Sequence, residues 1–180
     1  MDTNANCQTA DYNGDGDGFV AAQKTAWKRT LEEMSDLASG LEADGWSVCE
    51  IPAGHTAAET RTQGESDRFG LVYVIPGNKV EAFEELFEEG GFPQYRVFKR
   101  DSAGRMYILT QLLEPANGRA MLVAGNISLD HLAPLVDVAV EEGEMYTHVQ
   151  TLDTTHLGSF RHDDYERFFP NPDRYQQYRR

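Results

Sequence analysis

The strongest constraint on the fold is an uninterrupted apolar run, FGLVYVI, at residues 69–75. The run has the length of a strand, and its lack of polar positions predicts a strand in the middle of a sheet. Pro76 and Gly77 follow it and turn the chain, and Asn78 can cap a helix. The sequence therefore predicts a central strand that leads through a tight turn into a helix.

Helical periodicity marks three segments of the chain. Apolar side chains recur at helical spacing over residues 19–43, after the FGLVYVI run, and again from about Asp130. The second helix has an apolar inner face and a glutamate-rich outer face, and Gly90 and Gly91 end it. Pro134 fits the third helix only in its first turn.

Strand patterns account for most of the remaining sequence. Besides FGLVYVI, the predicted strands are WSVCEI at 46–51, QYRVFKR at 94–100, RMYILTQLL at 105–113, RAMLVAGN at 119–126, MYTHVQTL at 145–152 and HLGSF at 156–160. Residues 52–68 are polar and aperiodic, which predicts a long loop of functional or mobile character. The predicted element order is α-β-β-α-β-β-β-α-β-β.

This order predicts an α+β fold with a mainly antiparallel sheet of about 5–7 strands flanked by three helices. Two arrangements fit it. The order resembles that of Roadblock- and longin-type domains, although no sequence motif accompanies the resemblance. Alternatively, Gly77-Asn78 recurs as Gly125-Asn126, which favours tandem βαββ units.

Composition divides the chain into an acidic tail at 1–18, one domain at 19–169 and a C-terminal tail at 170–180. The stretch DYNGDGDGF within the first tail starts like a calcium-binding EF-hand loop. Counted from Asp11, however, position 12 is Ala22, where such loops need a bidentate glutamate. We therefore predict a flexible tail without a calcium site.

The charge is strongly acidic and suggests an adaptation to salt. The chain has 30 acidic and 16 basic residues, a net charge of −14, and four lysines against twelve arginines. In about 1 M salt the Debye length is only about 3 Å, so such an excess of carboxylates repels itself little and keeps the surface hydrated. This composition predicts a halophilic protein with an acidic surface.

The same composition restricts partners and compartment. The sequence has no basic face for nucleic acid, no signal peptide and no apolar run long enough for a membrane span. Cys7 and Cys49 form no motif, and reduced thiols are the expectation. We predict a cytoplasmic protein without a nucleic acid or membrane partner.

Three of the five histidines cluster near the last hairpin, where two registers fit the sequence. A three-residue turn places His148, His156 and His162 on one face, and a two-residue turn moves His156 to the other face. Even in the first register, His148 and His156 lie roughly 13 Å apart along the sheet, too far for one metal ion. We therefore predict no metal site and no cofactor.

No catalytic residue is predicted either, because Ser159 lies in LGSF and not in a G-x-S-x-G motif. The favoured function is a non-catalytic binding or assembly module. The alternative is an enzyme or small-ligand-binding protein with a pocket between loop 52–68 and the hairpin at 144–162. The lining of that pocket would be His55, Arg61, Arg68, His148 and His156.

The end of the chain carries five aromatic residues in a polar setting: Tyr165, Phe168, Phe169, Tyr175 and Tyr178. Such side chains tend to dock on a surface. They are candidates to cover an open sheet edge, either within the chain or in a second subunit. The sequence slightly favours the second case, a homodimer, and an unknown protein partner is the other expectation.

Three segments carry a resemblance to a known family: RFGLVYVIPGN, YTHVQTLDTTHLGSF and HDDYERFFP. They resemble an uncharacterised family of haloarchaeal proteins, over about Phe19 to Tyr175. The resemblance agrees with the acidic composition. It implies no activity and assigns no functional residues.

Overall fold

A computed structural model describes residues 14–62 and 67–179. The strands in these ranges are β1 (Ser47–Pro52), β2 (His55–Glu59), β3 (Gly70–Val74), β4 (Gln94–Ser102), β5 (Arg105–Glu114), β6 (Arg119–Ser128), β7 (Met145–Gln150) and β8 (His156–His162). The α-helices are α1 (Gly14–Ala43), α2 (Val80–Leu86) and α3 (Ala133–Glu142). Short 3-10 helices cover Gly77–Lys79, Leu129–His131, Tyr165–Arg167 and Pro172–Tyr178.

The predicted α+β class is confirmed, but the strands form two four-stranded sheets instead of one sheet. The first sheet has the order β1-β6-β5-β4 and the second has the order β2-β3-β7-β8. Both sheets are mixed, because β1 runs parallel to β6 and β3 runs parallel to β7, while the other neighbours are antiparallel. The Roadblock-like single sheet is therefore wrong.

The two proposed βαββ units cross between the sheets. The first unit places β3 in the second sheet and its hairpin, β4 and β5, in the first. The second unit does the reverse with β6, β7 and β8. However, β6 pairs with β5 antiparallel and β3 pairs with β7 parallel, so the strand pairing does not repeat.

Strand β2 lies inside residues 52–68, which the sequence predicted as a loop. Its residues, HTAAE, lack the alternation that reveals a strand, and it is ordered by antiparallel pairing with β3. As a result, the FGLVYVI strand has neighbours on both sides, and its predicted interior position is confirmed.

The main core lies between the sheets, and α1 covers the outer face of the first sheet. Met34 and Ala38 of α1 pack on Leu109, Leu122 and Ala124. The sheets meet closely at Gly125, where an added Cβ would lie 2.3 Å from Thr56 Oγ1 and 2.5 Å from the ring of Tyr73. The second sheet also has an outer face, on the side away from the main core, and the candidate functional site lies on that face.

The boundaries of α1 and α2 differ from the prediction. Helix α1 begins at Gly14, so Asp17 of the calcium-like stretch is helical, whereas Asp11 and Asn13 lie outside the described residues. Helix α2 ends at Leu86, before the predicted stop at Gly90. Pro134 does fall in the first turn of α3. Along the described parts of the chain, no helix combines the length and the apolar composition that crossing a bilayer requires.

The C-terminal aromatics pack within their own chain. Phe168, Phe169 and Tyr175 are fully buried. Lys99, on the edge strand β4, donates 2.7 Å to the carbonyl of Phe168 and 3.2 Å to the hydroxyl of Tyr175. Arg167 donates 2.9 Å to the backbone carbonyl of Tyr95 on the same strand. The segment at 170–180, predicted as a tail, therefore contains an anchored helical turn.

Candidate functional site

The last hairpin follows the register predicted for a two-residue turn from Met145 to Val149, and departs from it only at His156. Gln150 pairs with His156, whereas His148 pairs with Ser159, so a shift separates the two pairs. The ring centroids of His148 and His156 consequently lie 6.1 Å apart. The predicted separation of roughly 13 Å along the sheet is wrong, because it assumed a ladder without an extra residue.

The loop at 151–155 explains this register. The backbone N–H of Thr151 donates 3.0 Å to the carbonyl of Thr155, and the N–H of Thr155 returns 3.1 Å to the hydroxyl of Thr151. Thr154 closes the turn in the left-handed region, at φ 66°. The hydroxyl of Thr151 also donates to Asp153. These side-chain bonds stabilise a five-residue turn that backbone pairing alone would not favour.

Ser159 lies between two imidazoles on the outer face of the second sheet. Its Oγ is 2.7 Å from Nδ1 of His148 and 3.2 Å from Nε2 of His156. The other nitrogen of His148, Nε2, is 2.9 Å from the carbonyl oxygen of Phe69.

The partners of His148 fix the direction of this hydrogen-bond chain. A carbonyl oxygen only accepts, so Nε2 of His148 carries the proton that it donates to Phe69. Nδ1 of the neutral ring then accepts from the hydroxyl of Ser159. The Oγ of Ser159 is left to accept from Nε2 of His156. Ser159 therefore accepts a hydrogen bond from His156 and donates one to His148.

Burial keeps His148 neutral. The pKa of His148 is lowered to about 4, mainly by burial; the hydrogen bond to Phe69 opposes this effect, and the positive charges of Arg68 and of protonated His156 add to it. The pKa of His156 is also lowered, first by burial and then by Arg68, against Glu89. Arg68 thus makes the electrostatic potential at both rings more positive.

A cavity of about 280 Å³ opens beside this pair of rings. It is lined by Arg61, Asp67, Arg68, Phe69, Glu144, Tyr146 and His148. The Tyr146 ring is stacked on His148 at 5.8 Å and 3°, and it meets the edge of Phe69 at 5.2 Å. The guanidinium of Arg61 lies 5.1 Å from the centre of the Phe69 ring. The cavity therefore has an aromatic wall with arginines beside it.

Two of the carboxylates near the cavity, Glu144 and Glu142, are bonded to neighbouring side chains, and a third, Asp67, also lies in the lining. Glu144 accepts 3.0 Å from the hydroxyl of Tyr146 and 2.6 Å from Nε of Arg161, one bond on each oxygen. Arg61 forms an ion pair with Glu142 at the end of α3. The Arg61–Glu142 pair holds the β2–β3 connection against the end of α3, and the Arg161–Glu144 bond joins β8 to the residue before β7.

The structure brings together four of the five predicted site residues. Arg61, Arg68 and His148 line the cavity, and His156 connects to it through Ser159. His55 pairs with Val74 on the far side of the sheet, three strand spacings or about 14 Å from His156.

The sequence patterns did not identify three other residues of the site, Phe69, Tyr146 and Ser159. Phe69 and Tyr146 were assigned to strands without a functional role, and Ser159 was dismissed for want of a motif. The alternation of Tyr146 and His148 was the available signal, because side chains two apart on a strand share a face. The two-residue-turn register already places Ser159 opposite His148, whereas the position of His156 depends on the shift between Val149 and Gln150, which the sequence does not reveal.

The chain was compared with known proteins. A family described as "Family of unknown function (DUF7529)" matches residues 18–170. The chain belongs to this family. The predicted resemblance to an uncharacterised family is thereby confirmed, and the match covers most of the extent expected from the sequence.

Other comparisons add little to the DUF7529 assignment. The ATP-dependent RNA helicase DBP2 of Chaetomium globosum is 32% identical to the chain over 73 residues. The aligned part covers 36% of this chain and 13% of the helicase. No solved structure matches the chain. Among the described residues, no group of three or more His, Cys, Asp or Glu side chains is arranged to hold a metal ion.

His162 of this DUF7529 member lies on the opposite face of the hairpin from His148. It is fully buried, lies 2.9 Å from the hydroxyl of Thr147 through Nε2, and packs against the rings of Tyr95 and Phe168 at 4.5 and 4.7 Å. The predicted register that placed it on the face of His148 and His156 is therefore wrong. Burial lowers the pKa of His162 to about 3.

This buried imidazole predicts a pH dependence of stability. The unfolded chain protonates His162 near pH 6.5, while the folded chain protonates it only near pH 3, so its stabilising contribution is complete above pH 6.5 and falls below it. Between pH 7 and pH 5, the loss in free energy of unfolding from this residue is about 2 kcal/mol. Urea unfolding of wild type and His162→Leu at both pH values measures it. An equal pH dependence in both proteins would contradict the assignment.

Proposed function

We propose that this protein binds a small organic acid in the cavity beside His148. The observation that carries the proposal is the convergence of Arg61 and Arg68 on a cavity walled by Phe69 and Tyr146. Ligand sites in proteins are concave, largely apolar and supplied with a few polar groups that orient the ligand. This cavity is concave, has two aromatic rings in its wall, and carries charged side chains that can orient a ligand.

The volume and the wall indicate the size and shape of the ligand. Small-molecule sites span about 300–1,000 Å³, so a cavity of about 280 Å³ suits a ligand near the lower limit. The rings of Tyr146 and Phe69 favour a flat apolar group, by offset or edge contacts. A substituted benzene ring is an example of the expected scaffold.

The arginine side chains in the cavity lining indicate that the ligand is an acid. A guanidinium presents paired N–H groups that match a carboxylate. Both oxygens of Glu144 already accept hydrogen bonds, so this carboxylate presents a neutralised group to the cavity. The positive field of Arg68, which lowers the pKa of two histidines, favours a ligand carboxylate at this end.

A pair of matched probes tests this proposal. Benzoate should bind by isothermal calorimetry, while benzamide, its neutral counterpart, should bind at least about tenfold more weakly, a difference of about 1.4 kcal/mol. Arg68→Gln should remove the preference. Arg96→Gln, an exposed arginine on β4, should leave it unchanged. Equal affinity of benzoate for wild type and Arg68→Gln would contradict the proposal.

A different part of the surface, around Leu152, supports the assembly function that the sequence favoured. Leu152, in the turn after β7, is 87% exposed. Beside it, Gly54, His55, Val74, Ile75 and Pro76 line an open groove of about 920 Å³. An exposed apolar surface of this kind is typical of protein contacts. As a second candidate, we propose that two copies of the chain associate through this groove.

We further propose that the protein works in the concentrated salt of a halophilic cytoplasm. The net charge of −14 supports this, and it also argues against carrying nucleic acid binding over from the helicase likeness. Screening would permit acidic copies to associate.

Sedimentation tests both proposals together. A dimer is expected in molar KCl, with a shift toward monomer in low salt or with Leu152→Asp. Val140→Asp, at a comparably apolar exposed site on α3, is the matched control. A monomer in every condition would contradict the assembly proposal.

A further inference from the structure

A second cavity lies on the other side of Tyr146, and Ser159 is in its wall. The cavity has a volume of about 450 Å³. Its apolar side is formed by Phe92, Pro93 and Phe160, with Arg161 also in the lining. The hydroxyl of Ser159 is therefore accessible to a small molecule while it remains bonded to His148 and His156.

We propose that Ser159 is a nucleophile that accepts the acyl group of small carboxylic esters, with His148 as its general base. This inference does not rest on the organic-acid site, because it concerns the other cavity. In enzymes with a serine nucleophile, a general base accepts the hydroxyl proton and a third group orients the base. Here the base is His148 and the orienting group is the carbonyl of Phe69, 2.9 Å from Nε2.

The reaction balances with water as the only other reactant. Ser159 Oγ attacks the ester carbonyl carbon while its proton moves to Nδ1 of His148. The tetrahedral intermediate collapses, the bond to the alcohol oxygen breaks, and the alcohol leaves with the proton from Nδ1. Water, deprotonated by the same nitrogen, then attacks the acyl-serine, releases the carboxylic acid and restores Ser159.

His156 is a positioning residue in this scheme. Its Nε2 lies 3.2 Å from Ser159 Oγ and donates to it, which leaves the serine proton directed at His148. When Oγ becomes bonded to carbon, the same N–H is close to the developing oxyanion and can donate there. A donor at that position stabilises the tetrahedral intermediate.

The orienting carbonyl implies slow chemistry. In hydrolases with a triad, a carboxylate stabilises the imidazolium that forms during attack. The neutral carbonyl of Phe69 stabilises it less, in a site where His148 is 3% exposed. We therefore expect both acylation and deacylation to be slow. With an activated ester, whose leaving group needs no proton from His148, acylation is the faster step and the acyl-serine accumulates.

Acetylation by p-nitrophenyl acetate, followed by intact mass and peptide mapping, tests the proposal on the full chain. The wild type should gain one acetyl group on Ser159. Ser159→Ala should lose this label, and His148→Phe should acquire it about 100-fold more slowly or worse, since general bases contribute about 10²–10⁴ in rate. Ser47→Ala, an exposed serine on β1, should behave as wild type.

Peptide mapping of the wild type keeps the test decisive if a variant fails to fold. The competing site is Lys99, whose burial lowers its pKa to about 8 and makes its amine more nucleophilic at neutral pH. Acetyl groups found on Lys99 and absent from Ser159 would overturn the proposal. Acetylation of Ser159 in a wild type that does not bind benzoate would contradict the organic-acid proposal alone, so the two failures remain distinguishable.

The pH profile of acetylation supplies a readout that a structural role would not change. The charged and titratable groups around His148 include Arg61, Arg68, Asp67, Glu144, Tyr146 and His156. Because the neutral ring is the base, the rate should be half-maximal near pH 4 and flat from pH 6 to 8. A midpoint near pH 6.5, the value of an ordinary histidine, would exclude His148 as the base.

Discussion

Gly70→Ala should reduce the free energy of unfolding by about 4 kcal/mol or more, the range of severe single substitutions. Gly70 has φ 143°, which L side chains rarely adopt, and an added Cβ would lie 2.3 Å from the carbonyl oxygen of Tyr146. The contact is with backbone of the adjacent strand β7, whose parallel pairing with β3 opposes any retreat. Urea unfolding measures the change.

Gly118→Ala is the matched control for this substitution. Gly118 also has a positive φ, 61°, but an added Cβ there would meet nothing within 4 Å. Gly118→Ala should reduce the free energy of unfolding by about 1–2 kcal/mol, because alanine is strained in the left-handed conformation. The difference between the two variants therefore reports the contact with Tyr146. Equal losses would show that β3 and β7 are not packed as described.

Tyr175→Ala should reduce the free energy of unfolding by about 3–5 kcal/mol, the usual cost of removing a fully buried large aromatic ring. The Tyr175 ring is inaccessible to solvent and meets the edge of Phe169 at 5.4 Å. Its hydroxyl accepts from Lys99, which also holds the carbonyl of Phe168. The loss should appear as a lower urea midpoint.

Tyr178→Ala provides the comparison, because Tyr178 is only partly buried against the same core. We expect a loss of about 1 kcal/mol, in proportion to the smaller apolar area. If both tyrosines cost the same small amount, the C-terminal segment does not anchor on β4. The aromatics would then be available for contacts between subunits, as the sequence suggested.

Local patterns predicted much of the fold. The apolar run at 69–75 identified the interior strand β3, and helical spacing identified α1, α2 and α3. The division into two sheets was not predictable in the same way. It depends on which distant strands pair, and the parallel pairs β1 with β6 and β3 with β7 join segments about 70 residues apart in the chain.

The candidate site was predicted in part for the same reason. Placing the loop at 52–68 opposite the last hairpin was enough to bring Arg61 and Arg68 near His148. His55 was misplaced because the loop contains β2, which carries it to the far side of the sheet. His156 depended on a shift of one residue in β8, and such a shift changes which side chains meet without altering any sequence pattern.

The binding of a small organic acid in the cavity beside His148 is the function that we propose for this protein. Its most direct test is a metabolite and metal analysis of the protein purified in its native salt, with Arg68→Gln purified in parallel. We expect the purified wild type to carry a small organic acid that is absent from purified Arg68→Gln. The same metabolites with both proteins, or a stoichiometric metal ion in place of an acid, would contradict it.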